Sequence, residues 1–267
     1  MLLNGLLFNS ESWHNLKDAD IDKLSSIDEQ LLRIFLKAPA KTCKESLFLE
    51  TGCKPVKYHI MQRRLMYHHH ILGRSKTELI NKVYFAQKIK PSKGDFVKQI
   101  EEDKKQLKLK LTDTQISCLS KYKYKTIVKR AVEEEVVNYL LKLKEPHSKM
   151  KELEYSRLET QKYLKSDNGM SYEEKCTLFK FRVREIDVKI NYRNKYRDVK
   201  CTLCNSGEDD SQFHLFSCQA IIDSCDPLAN NINVEYEDIF DDISKQGPAI
   251  KLLVEIMKTR TKLMEPE

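Results

Sequence analysis

The segment CTLCNSGEDDSQFHLFSC, from Cys201 to Cys218, places three cysteines and one histidine in the pattern C-x2-C-x9-H-x3-C: Cys201, Cys204, His214 and Cys218. A close pair of donors, a loop and a second close pair bring four ligands within reach of one ion. Three thiolates and an imidazole in tetrahedral number suit Zn2+. Protein fills all four positions, which leaves no open position for a catalytic water, so the ion reads as structural. The alternatives are chance and a disulfide loop. A disulfide needs an oxidising compartment, which nothing in the sequence supports, and leaves His214 without a role. Leu215 and Phe216 are expected to pack under the knuckle. Cys225 is a spare donor with no partner at knuckle spacing. Cys43, Cys53, Cys118 and Cys176 are scattered and read as small buried apolar residues.

Other chemistry is sparse. His68, His69 and His70 are consecutive, and on a helix such neighbours point about 100° apart, so they cannot clasp one ion together. No Gly-rich phosphate loop and no Ser/His/Asp signature is present, which argues against a small-molecule substrate. The aspartates of IFDDI, residues 239–243, read as an acidic helix start rather than a polymerase pair. The apolar start, Met1 to Phe8, lacks the basic flank, core length and cleavage site of a secretory signal. No apolar run approaches a membrane span. A reducing nuclear or cytoplasmic setting, with no membrane partner, is expected.

The net charge is +7, but its distribution says more. Between Lys54 and Lys93 ten basic residues face a single acid, Glu78; between Cys201 and Ile243 there is no Lys or Arg, and ten acids. A basic middle suits a polyanion; a solvated helical surface is the plain alternative.

The elements that must position these groups read as helices. With 7 Gly and 33% charged residues, and abundant Leu, Lys and Glu, the composition points to an all-α fold. Apolar periodicity predicts helices in DADIDKLSSIDEQLLRIFLKAPA, with Pro39 following the end, in KPVKYHIMQRRLMYHHHIL with Pro55 in its first turn, in TELINKVYFAQKI, in DFVKQIEEDKKQL and in TDTQISCL. The run KYKYKTIVKRAVEEEVVNYLLKLK is the strongest, and Ile127, Val128, Ala131, Val132, Val136, Leu140 and Leu141 form its apolar stripe. Thr112/Gln115 and Ser171/Glu174 have capping-box spacing. A turn at 147–155 is expected to lead into a helix through Leu164, a helix from Ser171 to run through Tyr192, and a last helix to follow Pro248. The expected division is a thumb-like helical region at 1–90, a helical linker at 91–199, a CCHC zinc knuckle at 200–220 and an acidic segment with a C-terminal helix at 221–267.

Residues 9–72 resemble the segment that follows the catalytic palm in non-LTR (LINE-type) retroelement reverse transcriptases. The likeness lies in S-E-x-W (Ser10, Glu11, Trp13), L-R-x-x-L (Leu32, Arg33, Leu36), L-E-x-G-x-x-P (Leu49, Glu50, Gly52, Pro55) and R-R-L (Arg63, Arg64, Leu65). FRVREIDVKINYRNKYRDVK, leading into the Cys/His segment, is similar to the family's basic helix before its knuckle. The closing helix also resembles the family's carboxyl end. The resemblance implies an α-helical thumb, a linker and a zinc knuckle that grip RNA template or RNA–DNA hybrid. The family's fingers, palm and metal-binding aspartates would lie upstream of Met1, so it implies no polymerase activity in these residues, and the upstream polymerase domain is a candidate partner.

On this reading Lys57, Arg63 and Arg64 face a duplex backbone. Arg182, Arg184, Lys189, Arg193, Lys195 and Arg197 form the basic approach to the knuckle, and Tyr192 and Tyr196 stack on unpaired bases. Packing within a helix is the alternative for the two tyrosines. The acidic loop Glu208-Asp209-Asp210 is expected to repel phosphate. The competing reading is a zinc-stabilised helical protein-interaction module with no nucleic-acid role.

Overall fold

The computed structural model describes residues 5–13, 16–92, 94–145, 153–166, 168–225 and 243–265, with the side chains of 243–246 excepted. The acidic segment 226–242, including Asp241 and Asp242, and the expected turn at 147–152 lie outside the described residues. Among the described residues the chain is all-α: α1 Asp18–Phe35, α2 Lys44–Thr51, α3 Val56–Leu72, α4 Leu79–Ile89, α5 Phe96–Gln106, α6 Asp113–Cys118, α7 Lys121–Lys144, α8 Tyr172–Arg182, α9 His214–Ser217, α10 Gln219–Ser224 and α11 Ile243–Met264. Short 3-10 turns occupy Ser10–Ser12, Lys162–Leu164 and Lys189–Tyr192. The sole β pairing among these residues is one antiparallel bridge, Lys200 to Asp209. No helix among them is long and apolar enough to cross a membrane.

Both capping boxes form. Gln115 N donates to Thr112 Oγ1 and Thr112 N to Gln115 Oε1; Glu174 N donates to Ser171 Oγ and Ser171 N to Glu174 Oε2. Each box satisfies two backbone donors that a helix start leaves open. The helix ends were harder to foresee. α1, α5 and α8 each close with a non-Gly residue in the left-handed region, Lys37 (φ 47°), Lys108 (φ 54°) and Arg184 (φ 53°). In each, the following amide reaches back five residues: Ala38 to Arg33 O, Leu109 to Lys104 O, Glu185 to Lys180 O. This is the Schellman closure, in which glycine usually takes the left-handed position.

Two compact units result, one from residues 1–31, 52–145 and 155–159, the other from 32–51, 146–154 and 160–267. This grouping interleaves along the chain and does not follow the linear order of four segments.

In the first unit α3 is the central helix, packed by the Ser10–Ser12 turn and by α4, α5, α6 and α7. Val56, Ile60, Met61 and Leu65 of α3 and Val128, Val132, Val136 and Leu140 of α7 are buried. The expected stripe on α7 therefore faces inward, while Ile127, Ala131 and Leu141 sit at its half-buried edges. The three histidines diverge as helical geometry requires. His68 Nε2 meets Tyr84 Oη at 2.8 Å, His69 Nε2 meets Leu119 O at 2.9 Å, and His70 accepts from Arg74.

His68 gives this unit a pH dependence. Tyr84 Oη donates to Asp113 (2.9 Å), so His68 donates through Nε2–H, and its buried Nδ1 has no hydrogen-bond partner. Burial pulls His68 from 6.5 down to about 4, against the pull of Asp113. Burial, Lys54 and Arg63 bring His59 to about 4 as well. Between pH 6.5 and 4 the unfolded chain thus binds more protons, and stability present above pH 6.5 is lost as pH falls through that window. For fully buried His68 the loss is roughly 3 kcal/mol. Asp28, raised to about 6 by burial and then by Glu29, and Asp103, raised by burial against the pull of Arg64, both oppose this, but the two imidazoles titrate over the higher part of the window. Thermal unfolding followed by circular dichroism should give a lower midpoint at pH 5 than at pH 7; an equal or higher midpoint contradicts the assignment.

In the second unit α2 is buried on every side from Glu45 to Thr51. Glu50, fully buried, accepts from Tyr163 Oη (2.6 Å) and from Arg182 Nε (3.1 Å). α8 packs on α11, which also holds α10. Three expectations are corrected. Residues 153–161 are not helical, and only the Lys162–Leu164 turn forms there. The basic helix from Ser171 stops at Arg182, because the chain turns left-handed at Arg184. α11 begins at Ile243 and contains Pro248, rather than following it.

Candidate metal centre

Cys201, Cys204, His214 and Cys218 converge, with one ligand atom from each lying within 4.8 Å of the others. A tight hairpin supplies the first two. Cys201 N donates to Glu208 O (2.9 Å) and Asp210 N to Val199 O (2.8 Å). Gly207 turns it with φ 70°, a conformation that strains any other side chain. α9 brings His214, and its C-terminal edge brings Cys218.

Cys201 Sγ lies 3.9 Å from Cys218 Sγ, and Cys204 Sγ lies 3.3 Å from His214 Nε2. With metal–sulfur bonds of about 2.3 Å, a tetrahedral site places its donors roughly 3.6–3.8 Å apart. Donor types and spacing are thus compatible with a zinc ion. Cys218 is fully buried, and burial raises its thiol to about 12. Cys204 is lowered to about 6, chiefly by the Ser206 hydroxyl and amide. Such a cluster does not hold three thiolates without a cation, and a divalent ion releases the protons as it binds.

The imidazole is oriented from outside the donor set. His214 Nδ1–H donates to Glu208 Oε2 at 2.6 Å, which leaves the Nε2 lone pair facing the sulfurs. A carboxylate behind a ligating histidine is a recurrent device for fixing its tautomer. The loop acids are therefore engaged: Glu208 holds His214, Asp209 pairs with Lys200 (2.8 Å), and Asp210 makes a two-pronged pair with Arg260 (2.9 and 2.7 Å). Only Asp210 is buried against a cation; the Glu208 and Asp209 side chains stay 60% and 39% exposed, so the loop still presents negative charge to solvent. Leu215 is fully buried as the sequence suggested, while Phe216 is half-buried and packs edge-on to Phe181 of α8 at 6.2 Å.

The proposed nucleic-acid contacts fare unevenly. Arg64 is buried, with Nε and Nη2 on the Asp103 carboxylate (2.8 Å each) and Nη1 on Trp13 O (3.0 Å). Arg182 is committed to Glu50. Neither faces a duplex, because each sits on the core side of its helix opposite a buried acid. Arg63 donates to Leu7 O (2.5 Å), and Lys57 Nζ lies over the Tyr58 ring. Lys57 and Arg63 are six residues apart on α3, about 240° around its axis, so the three cations form no common face.

The remaining residues lie on an irregular strap between α8 and the hairpin. Arg193, Lys195 and Arg197 are exposed, and Arg184, Lys189, Tyr192 and Tyr196 are half-buried. Lys189 Nζ donates to Lys200 O (2.6 Å), and Tyr192 Oη reaches Glu185 (3.2 Å). Beside the strap a cleft of about 950 Å3 is lined by Lys41, Arg184, Arg193 and Lys195, by Tyr192 and Phe213, and by no carboxylate. Sequence reading missed Lys41, Glu208, Asp210, Phe213 and Arg260. An acid between the two ligand pairs was the available signal for Glu208, whereas Lys41 and Arg260 join the site only through tertiary structure. No protein-family model, curated protein or solved structure matches this chain, so its functional reading stands on these residues.

Proposed function

We propose that this chain is a non-catalytic, zinc-stabilised helical module that binds nucleic acid through the strap beside the Cys3His centre. We propose further that it is related to the thumb, linker and knuckle of LINE-type reverse transcriptases. The observation that carries the reading is the cationic cleft of Lys41, Arg184, Arg193 and Lys195, lined by no carboxylate and continued by exposed Arg197. The zinc ion acts structurally. It ties the hairpin to α9, and Asp210 in turn accepts from the amide of Lys189 (2.9 Å) at the start of the strap. Contacts to phosphate give affinity without reading sequence.

Salt dependence tests the reading. Five cations neutralising about five phosphates give a log–log slope of roughly −3.5 on single strands and −4.5 on duplex. Fluorescence anisotropy across a salt series reads it, and a slope near zero removes the proposal.

A protein-interaction scaffold is the second reading, favoured by Leu79, Val83 and Ile89 standing exposed along α4. Replacing Arg184, Arg193, Lys195 and Arg197 together by Glu separates the two, since undiminished RNA and DNA retention supports the scaffold. Arg64 and Arg182 are unsuitable for that test, because both hold buried carboxylates.

A further inference from the structure

We propose that the cleft beside the strap takes a single-stranded nucleic-acid segment and stacks one unpaired base on Phe213. The inference rests on the nucleic-acid reading above and adds the strand form and the residue that recognises it.

Phe213 is 63% exposed, next to a ligand of the metal centre. Its surroundings are fixed. Gln212 Nε2 donates to Phe181 O (2.8 Å), His214 N donates to Ser211 Oγ (3.0 Å), and the next two residues, His214 and Leu215, are buried. Phe216, three positions on, turns inward against Phe181. The local fold thus packs one phenylalanine, half-buried, against α8 and presents the other to solvent. An exposed ring on an anchored stretch of backbone, beside cations, has the chemistry of a base-stacking platform.

The cations and the ring share one cleft. Lys41 comes from the loop after α1, Arg184 from the left-handed turn closing α8, and Arg193 and Lys195 from the strap. Asp209, within electrostatic reach of Arg193, is held by Lys200. A cleft of about 950 Å3 is of small-ligand size and fits a few nucleotides rather than the width of a duplex. Tyr192 lines the same cleft, but its hydroxyl is tied to Glu185 and its ring is half-buried, so it forms wall rather than platform. Lys195 Nζ lies over the Tyr196 ring at 5.3 Å. Phe213 therefore replaces the two tyrosines as the stacking residue.

The test uses the zinc-loaded full chain and three fluorescein-labelled 12-mers: oligothymidine, the same backbone with abasic sites, and a mixed-sequence duplex. Phe213→Ala should weaken oligothymidine binding on the order of ten-fold and leave the abasic strand unaffected, while Phe213→Trp should retain wild-type affinity. Equal binding of oligothymidine by wild type and Phe213→Ala, or equal wild-type binding of the abasic strand, overturns the stacking role. If the duplex binds with the expected salt slope while Phe213→Ala changes nothing, only the present inference fails. If no strand binds at low salt, the nucleic-acid reading fails with it. Photocrosslinking of wild type to a 5-iodouracil 12-mer guards against misfolding of the variant. The adduct should map to Phe213, and adducts confined to α3 count against the cleft.

Discussion

Stripping the ion from the Cys3His centre, or replacing Cys218 by Ser, should disorder residues 198–222 while leaving α3 and α7 folded. The magnitudes favour this outcome. Ordering the 18 residues of the Cys201–Cys218 segment costs roughly 18–36 kcal/mol of backbone entropy. Its one fully buried apolar side chain, Leu215, returns about 2–3 kcal/mol. Structural zinc in finger peptides supplies ~10–16 kcal/mol, with the hairpin and loop hydrogen bonds contributing about 1 kcal/mol each. Removing the metal therefore tips the segment towards disorder, and with it the anchors of the strap at Lys189 and Ile190. Elemental analysis should find one zinc per chain. Hydrogen exchange after chelation should show lost protection across 198–222 and retained protection in α3 and α7. An unchanged exchange pattern in metal-free protein would rule out a structural zinc.

How far the sequence could be read depended on whether the deciding interaction was local. The knuckle spacing, the two capping boxes and the extent of α7 are local properties, and all three appear in the fold as expected. α2 was not legible because it is only eight residues long and buried all round, which leaves no amphipathic period to detect. The end of α8 was hidden for a different reason. Ile186 and Ile190 continue an apparent helical spacing from Leu178, and the residue that breaks it is an arginine rather than a glycine. The assignment of Arg64 and Arg182 to a duplex failed because their partners lie 39 and 132 residues away in sequence. A basic helix offers no sign of which arginine meets a buried acid. Glu50, Gly52 and Pro55 of the L-E-x-G-x-x-P stretch acquire structural roles that need no nucleic acid. Glu50 pairs with Arg182, Gly52 takes φ 68° just after α2, and Pro55 caps α3.

Asp210→Asn should destabilise the second unit by about 3–5 kcal/mol, the cost of leaving one member of a buried ion pair without its partner. Both side chains are almost fully enclosed, Asp210 at 1% and Arg260 at 5% exposure. The amide keeps the shape of the carboxylate but offers the guanidinium one acceptor oxygen in place of two, and no charge. Asp210 also accepts from the Lys189 amide, and its own backbone pairs with Val199 and Ile190. Movement of this one residue therefore reaches the hairpin, the strap and α11 together. Arg260→Met should cost less, because the Lys189 amide still satisfies one Asp210 oxygen and methionine fills much of the vacated volume. The double variant should be less destabilised than the sum of the two, with a coupling of roughly 0.5–3 kcal/mol. Urea unfolding of the zinc-loaded chain measures all three. If Asp210→Asn costs under about 1 kcal/mol, the Asp210–Arg260 pair does not hold the hairpin to the C-terminal helix.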